Sequence, residues 1–179
     1  GPHGSIAFPT AGIGQGDTII RLFESANLST VLHEFGHYFL TAIQADAARG
    51  VQHSADDLNV AKSWWRDQAG AVAKDAMRVM PDVKISAEDV IAALDNGTTG
   101  DMMKDAAIDV GMQEQFARGF EAYLMEGKAP SADLRGVFEK FRSWLISVYQ
   151  KLAGLNVAVS DNMRAVFDRM FATDEEIAK

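Results

Sequence analysis

Two histidines and a glutamate interrupt an apolar stretch of the chain, "VLHEFGHYFL" at residues 31–40. His33, Glu34 and His37 form an H-E-x-x-H sequence. Residues four positions apart lie on the same face of a helix, so the two imidazoles can bind one metal ion. Imidazole nitrogens suit zinc better than calcium or magnesium, which prefer oxygen ligands. The spacing therefore predicts a Zn²⁺ site on a helix.

Glu34, between the two histidines, is expected to act as a base rather than as a ligand. Zinc lowers the pKa of a bound water to about 7, so a carboxylate beside it can take the proton at neutral pH. The competing interpretation is that two histidines fell four positions apart by chance and make hydrogen bonds in a core. The apolar helix around them favours the metal site. Because H-E-x-x-H on a helix is the pattern of zinc metalloproteases, the sequence also predicts hydrolysis of peptide bonds.

A catalytic zinc usually has three protein ligands, so a third must come from elsewhere in the chain. Leu40 and Ile43 stand where an extended H-E-x-x-H-x-x-G-x-x-H sequence would have glycine and histidine, which excludes the metzincin class. His53 follows in a predicted loop, at an unusual offset for a zinc protease.

A carboxylate from a later helix is the remaining solution, which would give a His₂Glu ligand set. Glu114 and Glu121 are seven positions apart and so share a helix face. Either one could reach the metal. If Glu114 is the ligand, Glu121 would orient His33 or His37 through the free ring N–H, or remain a solvated surface glutamate. If Glu114 is only a surface glutamate, Glu121 becomes the ligand.

Two segments resemble a known family. The stretch Glu114-x-x-Ala117-x-x-Phe120 resembles the third-ligand helix of gluzincin-type domains, in which the leading glutamate binds zinc. More specifically, "LFESANLSTVLHEFGHYFL" together with "EQFARGFEAYLMEGKAPSADLRGVFEKFRSWLISVY" is similar to the zincin-like metallopeptidase domain of large polyvalent proteins from phages, prophages and conjugative elements. The similarity spans residues 19 to about 150. It implies that Glu114 is the third ligand and that the protein is a phage or prophage product in a bacterial host.

Three further side chains are candidates for steadying the oxyanion that forms when a peptide carbonyl is attacked. Tyr38 adjoins His37, Tyr123 follows Glu121 by two positions, and His53 could play the same part. Each is more simply explained as a core or surface residue.

Composition bounds the function. The net charge of −8 argues against nucleic-acid and anionic-membrane partners, which bind clustered lysine and arginine, and leaves protein or peptide substrates. The absence of cysteine excludes thiolate ligands and thiol nucleophiles. Without an apolar run long enough to cross a bilayer, a soluble cytoplasmic protein is expected. Residues 1–5 resemble a cleaved tag, so residues 6–179 are expected to form one domain of a larger polypeptide.

The predicted fold class is α+β, mostly helical, with a small β-sheet beside the H-E-x-x-H helix. A strand is predicted at residues 17–23, and a helix capped by Ser29 or Thr30 runs to about residue 48. Further helices are predicted at about residues 55–80, 86–94, 102–125 (starting at 102 or 109), 134–152 and 161–172, with Ser86 and Ser131 as caps. Residues 51–112 are expected to be a helical insertion or lid, and residues 131–179 the C-terminal helices.

The leading functional hypothesis is a zinc-dependent metalloendopeptidase that processes a phage or mobile-element polyprotein or a host protein. The alternative is a non-catalytic, zinc-stabilised or metal-free module that binds other proteins. Glu34 favours the first hypothesis, because a structural zinc site has no need of a general base.

Overall fold

A computed structural model describes residues 24, 27–156, 158–161 and 163–169. Six helices have complete bounds in these ranges: α1 (Leu28–Ala48), α2 (Gln52–Asp67), α3 (Ala69–Val79), α4 (Ala87–Asn96), α5 (Met102–Glu126) and α6 (Ala132–Gly154). Residues 163–169 are also helical. None of the helices in these ranges is long and apolar enough to cross a membrane.

The mostly helical prediction is confirmed, but the predicted α+β class with a small β-sheet beside the H-E-x-x-H helix is wrong. Among the described residues there is no strand, and the predicted strand at residues 17–23 lies outside them. Helices α2 and α5 pack on α1, and its aromatic side chains also meet α6. The apolar face of α1 is therefore covered by other helices rather than by a sheet.

Helix α1 begins two or three residues earlier than predicted. Asn27, not Ser29 or Thr30, is the N-cap, and its side-chain oxygen accepts a hydrogen bond from the Thr30 backbone N–H at 2.9 Å. Val31 and Phe35 on the inner face are completely buried. Because these side chains anchor one face in the core, the histidines and Glu34 face the cleft beside α5.

The single helix predicted over residues 55–80 is two helices, α2 and α3, which meet at Gln68. The break lies two residues before Gly70 and has a packing reason. Helix α2 packs against α1 and α6, whereas α3 packs mainly against α5 and α4. The two helices therefore have largely different partners. The predicted caps at Ser86 and Ser131 are confirmed, and Ser86 forms a reciprocal capping box with Asp89.

Aromatic side chains join α1, α5 and α6 into one core. The ring of Phe39 on α1 stacks on Phe141 of α6 at a centroid distance of 4.7 Å. Phe120 of α5 stacks on the same Phe141 ring at 3.9 Å, and Phe35 meets Trp144 edge-on at 5.3 Å. Each such pair contributes about 0.5–1.5 kcal/mol beyond the burial of its area. This cluster fixes the spacing of α1 and α5, which carry the candidate metal ligands.

Helix α3 holds α5 from the other side. Its Asp75 is almost completely buried and forms ion pairs with Arg78 and with Arg118 of α5, while Gln115 of α5 also donates to it. Helices α2 to α4 contribute side chains to the same continuous core as α1 and α5. Part of segment 51–112 thus braces the helix that carries Glu114. A lid function for this segment stays a prediction.

Helices α3 and α5 approach each other closely at Gly111. A Cβ atom added there would lie 2.5 Å from the Val72 carbonyl oxygen and 3.1 Å from the Ala76 nitrogen. Crowding of this kind costs about 1–3 kcal/mol, whereas alanine gains about 1 kcal/mol of helix propensity over glycine. We expect Gly111→Ala to lower the free energy of unfolding by up to about 2 kcal/mol, measured by urea denaturation.

The matched control is Gly136→Ala in α6, where an added Cβ meets no atom within 4 Å. This variant gains helix propensity without crowding, so its unfolding midpoint should rise. Equal shifts of the two variants in the same direction would contradict the close α3–α5 packing.

Candidate metal centre

The H-E-x-x-H residues line a cleft of about 270 Å³ between α1 and α5. Helix α1 contributes His33, Glu34 and His37, and α5 contributes Val110, Gln113 and Glu114. The two helices pack closely because the buried Gly36 lies against Ala117 and Phe116. The three predicted metal ligands and the predicted base therefore line the same cleft.

His33 and Glu114 are in direct contact. His33 Nε2 lies 3.0 Å from Glu114 Oε2, although the two residues are 81 positions apart in the chain. Two donors of a tetrahedral zinc site stand about 3.3 Å apart, because zinc bonds to nitrogen and oxygen are about 2.0 Å long. The two side chains are 33% and 28% exposed, so both reach the cleft. Their separation fits two neighbouring ligands of one zinc ion.

The other nitrogen of the same ring is also engaged. His33 Nδ1 donates to the Ser29 carbonyl at 2.9 Å, one turn earlier in α1. Both neighbours of the ring have acceptor oxygens, so a protonated ring can donate from both nitrogens. Burial alone would lower the pKa of His33, but the hydrogen bonds to Ser29 and Glu114 and the charges of Glu114 and Glu121 raise it. A zinc ion on Nε2 would take the place of that second proton, with Ser29 still orienting the ring.

His37 is held in a different way. Its Nδ1 lies 2.6 Å from Gln113 Oε1, and Gln113 Nε2 donates to Asp109 Oδ2 at 3.0 Å. Gln113 and Asp109 are one turn apart on α5. Sequence reasoning missed both residues. Asp109 and Gln113 are four positions apart on the helix that carries Glu114, and this spacing would have indicated that both share one face of α5.

The three predicted ligands are not fully assembled. In the part of the chain that the structure describes, no three His, Asp or Glu side chains stand close enough together to hold a metal ion. His33 and Glu114 form a pair, and His37 lines the same cleft. A three-ligand site therefore requires the His37 ring to approach the pair. The donor set itself, two imidazoles and a carboxylate, suits zinc.

Glu34 is exposed at the cleft, next to the predicted ligands. Its charge reaches Tyr38, since burial and the charge of Glu34 together raise the pKa of the Tyr38 phenol. Tyr38 is partly buried, with its ring centroid 6.2 Å from that of Phe35 and 6.0 Å from that of His37. The phenol thus lies near the cleft while its ring packs on the core.

The other predicted site residues lie elsewhere or at the margin. Tyr123 packs on Phe138 of α6 at 5.6 Å and is not among the residues that line the cleft. His53, in the first turn of α2, lines a separate cavity of about 180 Å³. Glu121 is partly buried on α5, and its charge acts on His33. Of the two candidate glutamates, Glu114 is the one hydrogen-bonded to a predicted ligand.

No protein-family profile, curated protein or solved structure matches the chain.

Proposed function

We propose that this protein is a zinc-dependent metallopeptidase of the zincin type, with His33, His37 and Glu114 as the metal ligands. The observation that carries the proposal is the 3.0 Å contact between His33 Nε2 and Glu114 Oε2. An H-E-x-x-H sequence with a glutamate from a distant helix is the ligand pattern of a His₂Glu catalytic zinc site. Glu114 of α5 lies beside His33, the first histidine of the motif, and this position supports the proposal.

In this proposal the metal, Glu34 and Ser29 have distinct roles. Zinc, when bound, supplies a Lewis acid that polarises the scissile carbonyl and acidifies a water molecule. Glu34 takes the proton of the attacking water and then delivers it to the nitrogen of the leaving amine. Its exposure at the cleft leaves the carboxylate accessible to both water and substrate. Ser29 orients His33 through Nδ1.

The proposed substrate is a protein or peptide, either a phage or mobile-element polyprotein or a host protein. The cleft is lined mostly by polar side chains of α1 and α5 and lies at the surface. The chain carries 25 acidic and 17 basic residues, which is unfavourable for a nucleic-acid substrate.

Metal removal tests the proposal directly. We expect elemental analysis of the purified protein to find about one zinc per chain, and a chelator to abolish the hydrolysis of a broad peptide library. Adding back zinc should restore hydrolysis. A protein that binds no zinc even after reconstitution would rule out the metallopeptidase.

One observation favours the alternative, a module that binds other proteins without catalysis. The His33–Glu114 hydrogen bond links α1 to α5 without any metal, so these residues can serve stability alone. Under this alternative the chelator lowers the melting temperature at most, and no peptide of the library is cleaved before or after treatment. The same experiment therefore separates the two functions.

A further inference from the structure

His37 is joined by hydrogen bonds to two residues of α5, first to Gln113 and through it to Asp109. His37 Nδ1 meets Gln113 Oε1 at 2.6 Å, and Gln113 Nε2 meets Asp109 Oδ2 at 3.0 Å. Val110, which lies between Asp109 and Gln113 in the sequence of α5, lines the cleft. The chain ends on a carboxylate, which has only acceptor atoms when ionised.

The carboxylate decides which way the Gln113 amide faces. The amide has a donor end and an acceptor end, and only the donor end can bond to an ionised Asp109. The acceptor end then points to His37. An amide oxygen cannot donate, so His37 Nδ1 must carry the proton. In the neutral ring, Nε2 is then left with a lone pair.

We infer that Asp109, acting through Gln113, fixes the His37 tautomer in which Nε2 is the metal-binding nitrogen. The two are positioning residues, because each acts on the metal site through the His37 ring. The inference rests on the proposed function for the role of His37 as a ligand. The tautomer itself is a property of the metal-free protein and can be measured separately.

At both His33 and His37 an oxygen atom faces Nδ1, but the two oxygens belong to different kinds of group. At His33 a backbone carbonyl one turn earlier accepts from Nδ1, which is a fixed feature of the helix. At His37 the acceptor is a side-chain amide that could face either way. Without Asp109, the Gln113 amide could turn its N–H₂ group toward His37 and favour the proton on Nε2. Such a ring would present a blocked nitrogen to the metal.

The test is the tautomer of His37 in metal-free, ¹⁵N-histidine-labelled protein, read from long-range ¹H–¹⁵N correlations at a pH where the ring is neutral. Wild type should show the Nδ1–H form. Asp109→Asn, which is nearly isosteric, should give a mixture of tautomers. Gln113→Leu should move the ring toward the Nε2–H form. Gln113→Glu keeps an acceptor oxygen beside Nδ1, so it should show the Nδ1–H form of the wild type, unlike Gln113→Leu.

Zinc affinity, measured by competition with a chelator, is the second readout. We expect Gln113→Leu to bind zinc about 10- to 100-fold more weakly, the usual effect of losing a partner of a ligand histidine, and Asp109→Asn to show a smaller loss. The matched control is Gln150→Leu, the same replacement at an exposed position of α6, which should change neither readout.

A wild-type His37 in the Nε2–H form, or a pure Nδ1–H form that persists in both Asp109→Asn and Gln113→Leu, would overturn the inference. The expected tautomers without zinc binding in the wild type would support the inference and overturn the proposed function alone.

Discussion

We expect Glu34→Gln to slow peptide hydrolysis by about 10²–10⁴-fold while the zinc content stays at the wild-type level. The amide has the shape of the carboxylate but cannot take a proton from water at neutral pH. Glu34 is exposed at the cleft and no hydrogen bond from it braces α1 in the described structure, so the fold should tolerate the change. The measurement is the initial rate on a cleaved library peptide, alongside elemental analysis for zinc.

The matched control for this prediction is Glu126→Gln. Glu126 is the exposed last residue of α5 and does not line the cleft, so the same change of charge should leave the rate unaltered. A Glu34→Gln protein that binds zinc and still cleaves at the wild-type rate would end the peptidase proposal. If neither the wild type nor the variant cleaves any peptide although both bind zinc, the non-catalytic module becomes the better explanation.

Local signals were sufficient to predict most helices. The side chains of Ser86 and Ser131 accept hydrogen bonds from backbone N–H groups in the first turns of α4 and α6. Such caps can be predicted from a few neighbouring residues. The start of α1 was ambiguous for the same reason. Asn27, Ser29 and Thr30 are all competent caps, and only the position of the buried Val31 and Phe35 relative to the core distinguishes them.

Features that depend on distant partners could not be predicted from the sequence. The break at Gln68 follows from α2 and α3 packing on different helices, and periodicity within one segment carries no information about that. The predicted sheet came from a family resemblance and from one β-branched run outside the described residues. Where the structure does describe the surroundings of α1, helices occupy them.

In the candidate site, too, the features set by local spacing could be predicted and those set by distant contacts could not. The four-residue spacing of His33 and His37 predicted their common face, because helix geometry is local. The pairing of His33 with Glu114 needed the resemblance, since both Glu114 and Glu121 satisfied the spacing rule. Gln113 was missed because a glutamine is not part of the H-E-x-x-H motif or of the usual zinc ligand sets, although its side chain contacts His37.

Replacing Glu114 should have the largest effect on the metal. We expect Glu114→Ala to weaken zinc binding by more than the roughly 10- to 100-fold seen when an outer partner of a ligand is lost, because it removes a ligand itself. The contact with His33 lies at a partly exposed position, and such pairs contribute only about 0–1 kcal/mol to stability. The variant should therefore remain folded, so a loss of zinc reports the ligand and not unfolding. Elemental analysis after dialysis against a weak chelator, with circular dichroism on the same samples, measures both.

Glu121→Ala and His53→Ala complete the experiment, because each removes a residue that could supply the third ligand instead. Glu121 acts on His33 only through its charge, and His53 lines a different cavity. We expect Glu121→Ala to reduce zinc affinity slightly and His53→Ala to leave it unchanged. If Glu114→Ala keeps its zinc and one of these two variants loses it, the third ligand belongs to that residue. In that case the His33–Glu114 hydrogen bond only joins α1 to α5, and the observation that carries the proposed function loses its force.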